Sequence, residues 1–450
     1  MTEVMPSTVP SEEGSFPSSD GKGPSILVIS INYPPEPSGF DPHVAAYCEH
    51  LASRGFDVTV LTGYPFAPYW KRSQEYEGQF RTIEQRGGVR VIRHAHYIPT
   101  SPRRLAERLL MEATFCLHAI LSVFRTRKRC DLVIYVGAQP CLAMLARGVA
   151  WLAQVPYGVN INDIASEAAR DVGIVGKGTL LRMMRWFEFT AYRGAGGGVV
   201  LCRAFKELLE KEKCCRGNIA IVRSPIDIET VGPQAVPADL RKKLGIFEGD
   251  FVVMFSGSMG IKQGMENVVQ AARIAANRGS RAKWLLIGDG EVRQRVEAMI
   301  SELGLKGTVF RIPFQPVDLV GPTLNAAQVL LLNQLASVKD TVIPSKLLTY
   351  MAAGRAVLAA VNPNSQGAEI LRESGGGVLV APGDPVALAE GILSLENDLG
   401  KLGVMGTANR AYAVEHFDQR RILSELESFT RGLLAPLHRV QGTPGAANPT

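Results

Sequence analysis

The chain has 450 residues, 46% of them hydrophobic and 20% charged, with a net charge of +6. At roughly 100–200 residues per domain this length suits two large domains, and the composition excludes disorder as the general state. Lysines and arginines spread along the chain exclude a continuous basic surface for nucleic acid and point to a local patch.

Residues 1–24 are rich in Ser, Pro and Gly without an apolar block, which predicts a disordered tail and no signal peptide. "SILVISINYP" (25–34) is a continuous apolar run that suits a buried parallel strand. The following "NYPPEPSG" reads in two ways. Ser38 and Gly39 let the backbone reach a ligand, or the prolines make a rigid connection. After the helix "DPHVAAYCEHLASRG" come strands at "FDVTVLT", "GGVRVIRHAH", "DLVIYVG", "YGVNIND" and "GGVVLC", with helices between them, the pattern of a doubly wound parallel sheet.

Within this half, "RRLAERLLMEATFCLHAILSVFRTRKR" has an apolar middle between Arg103, Arg104 and Arg108 on one side and Arg125, Arg127 and Lys128 on the other. Its twelve-residue apolar middle is too short to span a bilayer, which takes about 20 residues. It suits a helix in the interface of an anionic membrane, with Phe115 and Phe124 toward the acyl chains. A buried helix with solvated ends fits the same text. "NINDIASEAARD" (160–171) is expected to place Asn160, Asn162, Asp163, Glu167 and Asp171 in one polar loop that binds substrate hydroxyls or is simply solvated.

A boundary is expected near residue 230, where "GNIAIVRSPIDIETVGPQAVPADLRKKLG" loses the alternation. The pattern then resumes with "FVVMFSG", "AKWLLIGDG", "TVFRIPF", "QVLLLNQ", "RAVLAAV" and "GGVLVAP", a second parallel sheet. The division is therefore 25–230 and 231–405. A helical stretch at 406–434 has room to cross back to the first domain, and 435–450 reads as a second disordered tail. The seven cysteines (48, 116, 130, 141, 202, 214 and 215) form no CxxC pair, which suits reduced thiols in a cytosolic compartment, with Cys214 and Cys215 near a surface turn. The seven histidines show no metal spacing and read as structural.

Ligands of open parallel sheets bind beyond the carboxyl ends of the strands. In the second half those exits are "SGSMGIKQG" (256–264), "GDGE" (288–291) and the segment with "IPSK" (343–346). Gly257, Gly260 and Gly264 permit close backbone approach to a phosphate, and Lys262 adds a counter-charge. Ser345 suits a helix cap and Lys346 adds a positive charge in the first turn. No Walker A loop is present, and no GxGxxG follows the first strand of either half. That argues against an ATPase and a dinucleotide oxidoreductase.

The motif order, "FSGSMGIKQGMENVVQAA", "LLIGDGE", "PSKLLTYMAAGRAVLAAV" and "GGGVLVAPGDPVALAEGI", resembles the family 4 glycosyltransferases of GT-B fold, most closely the colanic acid type of bacterial exopolysaccharide synthesis. The resemblance runs from about residue 25 to 432 and implies two Rossmann-like domains facing each other across a cleft. It implies a hexosyltransferase that moves a sugar, with retention, from a nucleotide sugar to a lipid-linked or saccharide acceptor at the cytoplasmic membrane face. Neither cofactor nor metal ion is expected. Ser345 and Lys346 would meet the donor diphosphate, with Leu347 and Thr349 on the same helix. Gly257, Ser258 and Lys262 would meet it from the neighbouring loop, and Gly288, Asp289, Gly290 and Glu291 would lie by the nucleotide.

On the acceptor side Asp163 is the residue expected to carry chemistry. The chain departs from the family at its paired glutamates, matched here by Thr341 and Thr349, at the Arg and Lys of the phosphate loop (Ser258 and Gln263), and at a first-domain His (Asn160). Two further readings stay open: a nucleotide-sugar epimerase, expected to show more carboxylates and histidines suited to proton transfer, and a catalytically weak nucleotide-sugar-binding scaffold.

Overall fold

The computed structural model describes residues 23–35, 41–66, 70–100, 104–126, 130–171, 178–338 and 343–441. The first half contains strands β1 (Ser25–Ile29), β2 (Asp57–Gly63), β3 (Arg81–Arg86), β4 (Val89–His94), β5 (Leu132–Gly137), β6 (Tyr157–Ile161), β7 (Gly197–Val200) and β8 (Ile219–Ile221). They form one sheet in the order β3-β4-β2-β1-β5-β6-β7-β8. All pairs are parallel except β3 with β4. The inner strands carry Val, Ile and Leu on both faces and are almost wholly buried, as parallel strands covered by helices must be. The antiparallel edge strand β3 is polar and half-exposed, so no apolar run marks it.

The helices of this half are α1 (Asp41–Ser53), α2 (Leu105–Thr126), α3 (Pro140–Ala153), α4 (Ala165–Asp171), α5 (Thr179–Tyr192) and α6 (Arg203–Lys211). Side chains of α2, α3, α5 and α6 pack on one face of the sheet in a core with Leu27, Ile29, Val133 and Tyr135. The side chain of α1 residue Val44 packs on the other face with Ile26, Val28 and Ile134.

After β8 come α7 (Ile228–Val231) and α8 (Ala238–Lys243), then strands β9 (Val252–Ser256), β10 (Lys283–Ile287), β11 (Val309–Ile312), β12 (Val329–Asn333), β13 (Ala356–Ala360) and β14 (Gly377–Val380). These form an all-parallel sheet in the order β11-β10-β9-β12-β13-β14. Its helices are α9 (Met265–Asn277), α10 (Arg293–Glu302), α11 (Val320–Asn325), α12 (Ser345–Ala352), α13 (Gln366–Ser374), α14 (Pro385–Glu396) and α15 (Leu399–Phe417).

The C-terminal stretch is two helices rather than one. α15 packs on the second sheet through α12 and β13, the chain breaks at Asp418, and α16 (Gln419–Gln441) packs on α1 and β6 of the first sheet. α16 also carries helix through residues 435–441, which the composition assigns to a tail. The chain thus passes between the sheets twice, and the two passages are bonded side by side. Ile226 N donates to Phe417 O at 2.9 Å, and Gln419 N donates to Ile226 O at 3.1 Å.

One carboxylate locks α16 to α1. Glu427 is 9% exposed and accepts from His50 Nε2 (2.9 Å), Arg54 Nε (3.1 Å) and Arg431 Nε (2.8 Å). Burial alone would raise its pKa, but the hydrogen bonds from Arg431, His50 and Arg54 hold it down to about 2. A carboxylate depressed in the folded state stabilises above its unfolded pKa, roughly 4.3, and stops doing so as pH falls toward the folded value. Glu427→Ala is therefore expected to cost about 2 kcal/mol at pH 7. Urea unfolding should show the difference from the parent protein shrinking as the pH is lowered to 2. A gap that stays constant with pH would remove the ion pairs as its cause.

Candidate functional site

In the second sheet the strand order reverses between β9 and β12, and the loops after those strands diverge there into a crevice. The loop after β9 starts at Gly257 (φ 139°) and the loop after β10 at Gly288 (φ 141°). The two loops lie backbone against backbone. Gly257 N donates to Ile287 O and Met259 N to Asp289 O, both at 2.9 Å. A Cβ on Gly288 would stand 2.0 Å from the Gly257 carbonyl oxygen, so only glycine allows this approach. Gly260, by contrast, has φ −82° and open space around its Cβ position, so no neighbouring backbone requires glycine there.

The side chain of Lys346, from α12, lies across Gly257. A Cβ added to Gly257 would come within 2.1 Å of Lys346 Cε. The ammonium stands 3.4 Å from Ser258 O and 5.1 Å above the Phe255 ring. Tyr350, one turn further along the same face of α12, fixes this arrangement. Its hydroxyl accepts from Ser256 N (2.9 Å) and donates to Ser256 O (3.1 Å), tying the helix to the end of β9. Asn333, at the end of β12, does the same for the far end of the loop: Nδ2 donates to Gln263 O and Gly264 O, while Oδ1 accepts from Asn267. Neither Tyr350 nor Asn333 stands out in the sequence, because each reads as one more residue of a buried helix or strand.

The structure thus brings Gly257, Ser258, Gly288, Asp289, Gly290 and Lys346 together. Lys262 lies further along the same loop with an exposed side chain, and its carbonyl accepts from Leu335 N. Asp289 is already engaged by Arg311 and Arg293, both at 3.4 Å, and exposed Glu291 follows it. Two expectations on α12, those for Ser345 and Leu347, are corrected. Pro344 is the cap and Ser345 the first helical residue, with no side-chain capping bond. Leu347 is fully buried in the core, so its side chain does not face a donor. The Thr349 hydroxyl donates to Ser345 O within its own helix. Thr341, Ser38 and Gly39 lie outside the described residues.

On the first sheet the polar residues at 160–171 do not share one loop. Asn160 is buried in β6, Glu167 is in α4 paired with Arg170 and Arg185, and Asp171 ends α4. Asp163 is exposed just beyond β6. The start of α4 beside it is held by buried Glu188, which accepts from Ala165 N (2.7 Å), Ser166 N (2.9 Å) and the Tyr192 hydroxyl (3.1 Å). Buried Arg93 plays the same part after β1, donating to the carbonyls of Tyr33 and Pro34 and pairing with Glu84.

The carboxyl edges of the two sheets face each other. Arg203, at the start of α6, has its pKa raised by Glu207 and, as a smaller cause, by Glu369 at the start of α13.

Among the described residues no cluster of histidine, cysteine or carboxylate has metal-binding geometry. All seven cysteines are free, and burial pushes the Cys214 and Cys215 thiols up to about 12, which disfavours the thiolate. Phe115, expected at a membrane surface, is fully buried in the first core. Arg104 and Arg108 are exposed, whereas Arg103, Arg127, Lys128 and the side chains of Phe124 and Arg125 lie outside the described residues.

Two family models match the chain: a glycosyl transferase 4-like domain over residues 38–224 and glycosyl transferases group 1 over residues 237–411. The putative colanic acid biosynthesis glycosyl transferase WcaI of Escherichia coli (strain K12) is 28% identical over 418 residues, covering 90% of this chain and 100% of the relative. The 2-deoxystreptamine glucosyltransferase of Streptomyces kanamyceticus is 26% identical over 63% of this chain and 71% of its own. Among solved structures, Anabaena Alr3699/HepE in complex with UDP superposes with a TM-score of 0.67 at 16% identity, covering 91% of this chain and 100% of that one. WaaG, a glycosyltransferase involved in lipopolysaccharide biosynthesis, gives 0.62 at 15% identity, covering 89% and 99%.

Proposed function

The chain belongs to the group 1 and 4-like glycosyl transferases and has their GT-B fold, and from that premise we propose that it moves a sugar from a nucleoside diphosphate donor to a lipid-linked or saccharide acceptor in exopolysaccharide or cell-envelope glycan synthesis. The observation that carries the reading is Lys346 lying across the Gly257 backbone at the crevice between β9 and β12. Departure of a nucleoside diphosphate builds negative charge on the β-phosphate. A cation already fixed at that place lowers the barrier without reorganising. In this reading Lys346, with Lys262 further along the loop after β9, meets that charge in place of a metal ion.

The backbone around Gly257 and Gly288 comes close to the donor because no side chain intervenes. Asp163 and the start of α4 stand on the acceptor side of the cleft, and transfer proceeds with retention. The Thr349 hydroxyl, bonded to its own helix where the family has a glutamate, implies that donor-sugar contacts differ from the family pattern. The HepE complex with UDP makes uridine nucleotides the first to test.

The test is a thermal-shift screen against UDP, GDP, ADP and their sugar conjugates. A ligand at a hundred times its dissociation constant stabilises by about 2.7 kcal/mol. One base family is expected to raise the melting temperature, and its sugar conjugate to be consumed in the presence of an acceptor extract. A shift without consumption would favour the scaffold reading, and the absence of any shift would overturn the donor site.

A further inference from the structure

α9 and α10 lie on the same face of the second sheet with their inward sides in one core, and α9 is flanked by α14 and α10. Toward solvent α9 and α10 part, and a groove of about 370 Å³ opens between them. Helical spacing puts its lining on two facing stripes: Gln270, Arg273 and Ile274 on α9, and Arg295, Met299 and Glu302 on α10 with Leu303 just after it. Ile274, Met299 and Leu303 make an apolar floor that belongs to the second core. The volume is that of a small-molecule site rather than of a protein interface.

Against two guanidiniums the lining sets one carboxylate. Arg273 is exposed and has neither an ion pair nor a hydrogen bond among the described residues. Arg295 stands 3.8 Å from Glu302, beyond hydrogen-bond reach, so its guanidinium is held loosely. A guanidinium offers a planar fork that matches a phosphate or a carboxylate. The groove therefore lacks two things that one ligand supplies: an anionic group between the arginines and an apolar body over the floor.

We propose that this groove binds a small organic anion, a phosphate or carboxylate on a ring or short chain, and that the bound anion steadies the paired loops after β9 and β10. α9 starts directly after Gly264, which ends the first loop, and α10 starts at Arg293, after the loop that begins at Gly288. The two starts are bonded to each other, with Val292 N donating to Met259 O at 3.2 Å. Arg273 lies about 13 Å beyond Gly264 at helical rise, so the groove is separate from the crevice. An anion held by Arg273 and Arg295 joins the helices at a second place, and helices joined at two places do not move their loops independently. The inference holds whether or not a nucleoside diphosphate binds in the crevice.

Calorimetric titration of the full chain with phenyl phosphate and with benzoate tests the site, and inorganic phosphate and phenol supply the charge alone and the ring alone. At least one of the two organic anions is expected to bind at least tenfold more tightly than either control. Arg273→Ala combined with Arg295→Ala is expected to weaken that binding at least tenfold at an unchanged melting temperature, because both side chains are exposed, whereas Lys346→Ala is expected to leave it intact. Hydrogen–deuterium exchange of residues 257–264 and 288–292 should slow at least threefold when the parent protein is saturated with the anion, and not in the double variant. Binding no tighter than that of the controls, or binding that survives in the double variant, overturns the proposal. So does loss of binding in Lys346→Ala, which would assign the anion to the crevice. Unaltered loop exchange with the anion bound overturns the link between groove and loops.

Discussion

Lys346→Ala is expected to lower kcat about 100-fold with the donor that the thermal-shift screen identifies, while leaving the melting temperature within a degree or two of the parent. The argument is electrostatic. Removing one preorganised donor of positive charge from a site where charge develops typically costs 10²–10³ in rate. The side chain lies half-buried over the Gly257 backbone rather than in the core. Lys346→Arg should not restore the rate, because the planar guanidinium differs in shape from the slender stem that crosses Gly257. Steady-state kinetics decide the matter: transfer that survives the alanine change would take Lys346 out of the site.

Gly288→Ala is expected to damage both fold and site. The new Cβ would stand 2.0 Å from the Gly257 carbonyl oxygen, and φ 141° is a conformation that L side chains rarely adopt. Backbone meets backbone here, so no flexible side chain can yield. A cost of about 3 kcal/mol, or roughly 6–12 °C in melting temperature for a domain of this size, follows from the strain. The nucleotide shift should vanish with it, since parting the two loops moves Ser258 away from Lys346. Gly260→Ala is the control: its φ of −82° and open surroundings predict a change within about 0.5 kcal/mol. Differential scanning fluorimetry of both variants checks this, and equal effects would mean that the paired loops are not what Gly288 maintains.

The parallel strands are legible in the sequence because burial on both faces writes them as unbroken apolar runs, as in β5 and β12. β3 is not legible, since an edge strand half in solvent needs no such run. α2 shows how a stripe can be read on its wrong side. It is apolar on both flanks, and periodicity alone does not say whether Phe115 or Leu117 faces the sheet; the structure buries the first and leaves the second 65% exposed. In the site, Gly257, Gly288 and Lys346 are legible because their residue types suit phosphate. The residues that hold them in place are not. Tyr350 reaches Ser256 across 94 positions, Arg93 reaches Tyr33 across 60 and Asn333 reaches Gln263 across 70. Bonds between residues so far apart in sequence leave no local pattern.

The paired passages at Ile226 and Asp418 have a consequence for how the two halves stay associated. A break in the first passage yields a fragment ending near residue 226 and a second fragment that still carries α16, whose Ile422, Leu426 and Leu433 remain packed in the first core. A break at Asp418 leaves α16 on the same surface and the other passage covalent. A single nick at this place therefore leaves an assembled protein whose halves are held by packing and by Glu427. What is lost is one of the two covalent passages, leaving the backbone bonds of Ile226 to Phe417 and Gln419 to pair a cut strand with an intact one.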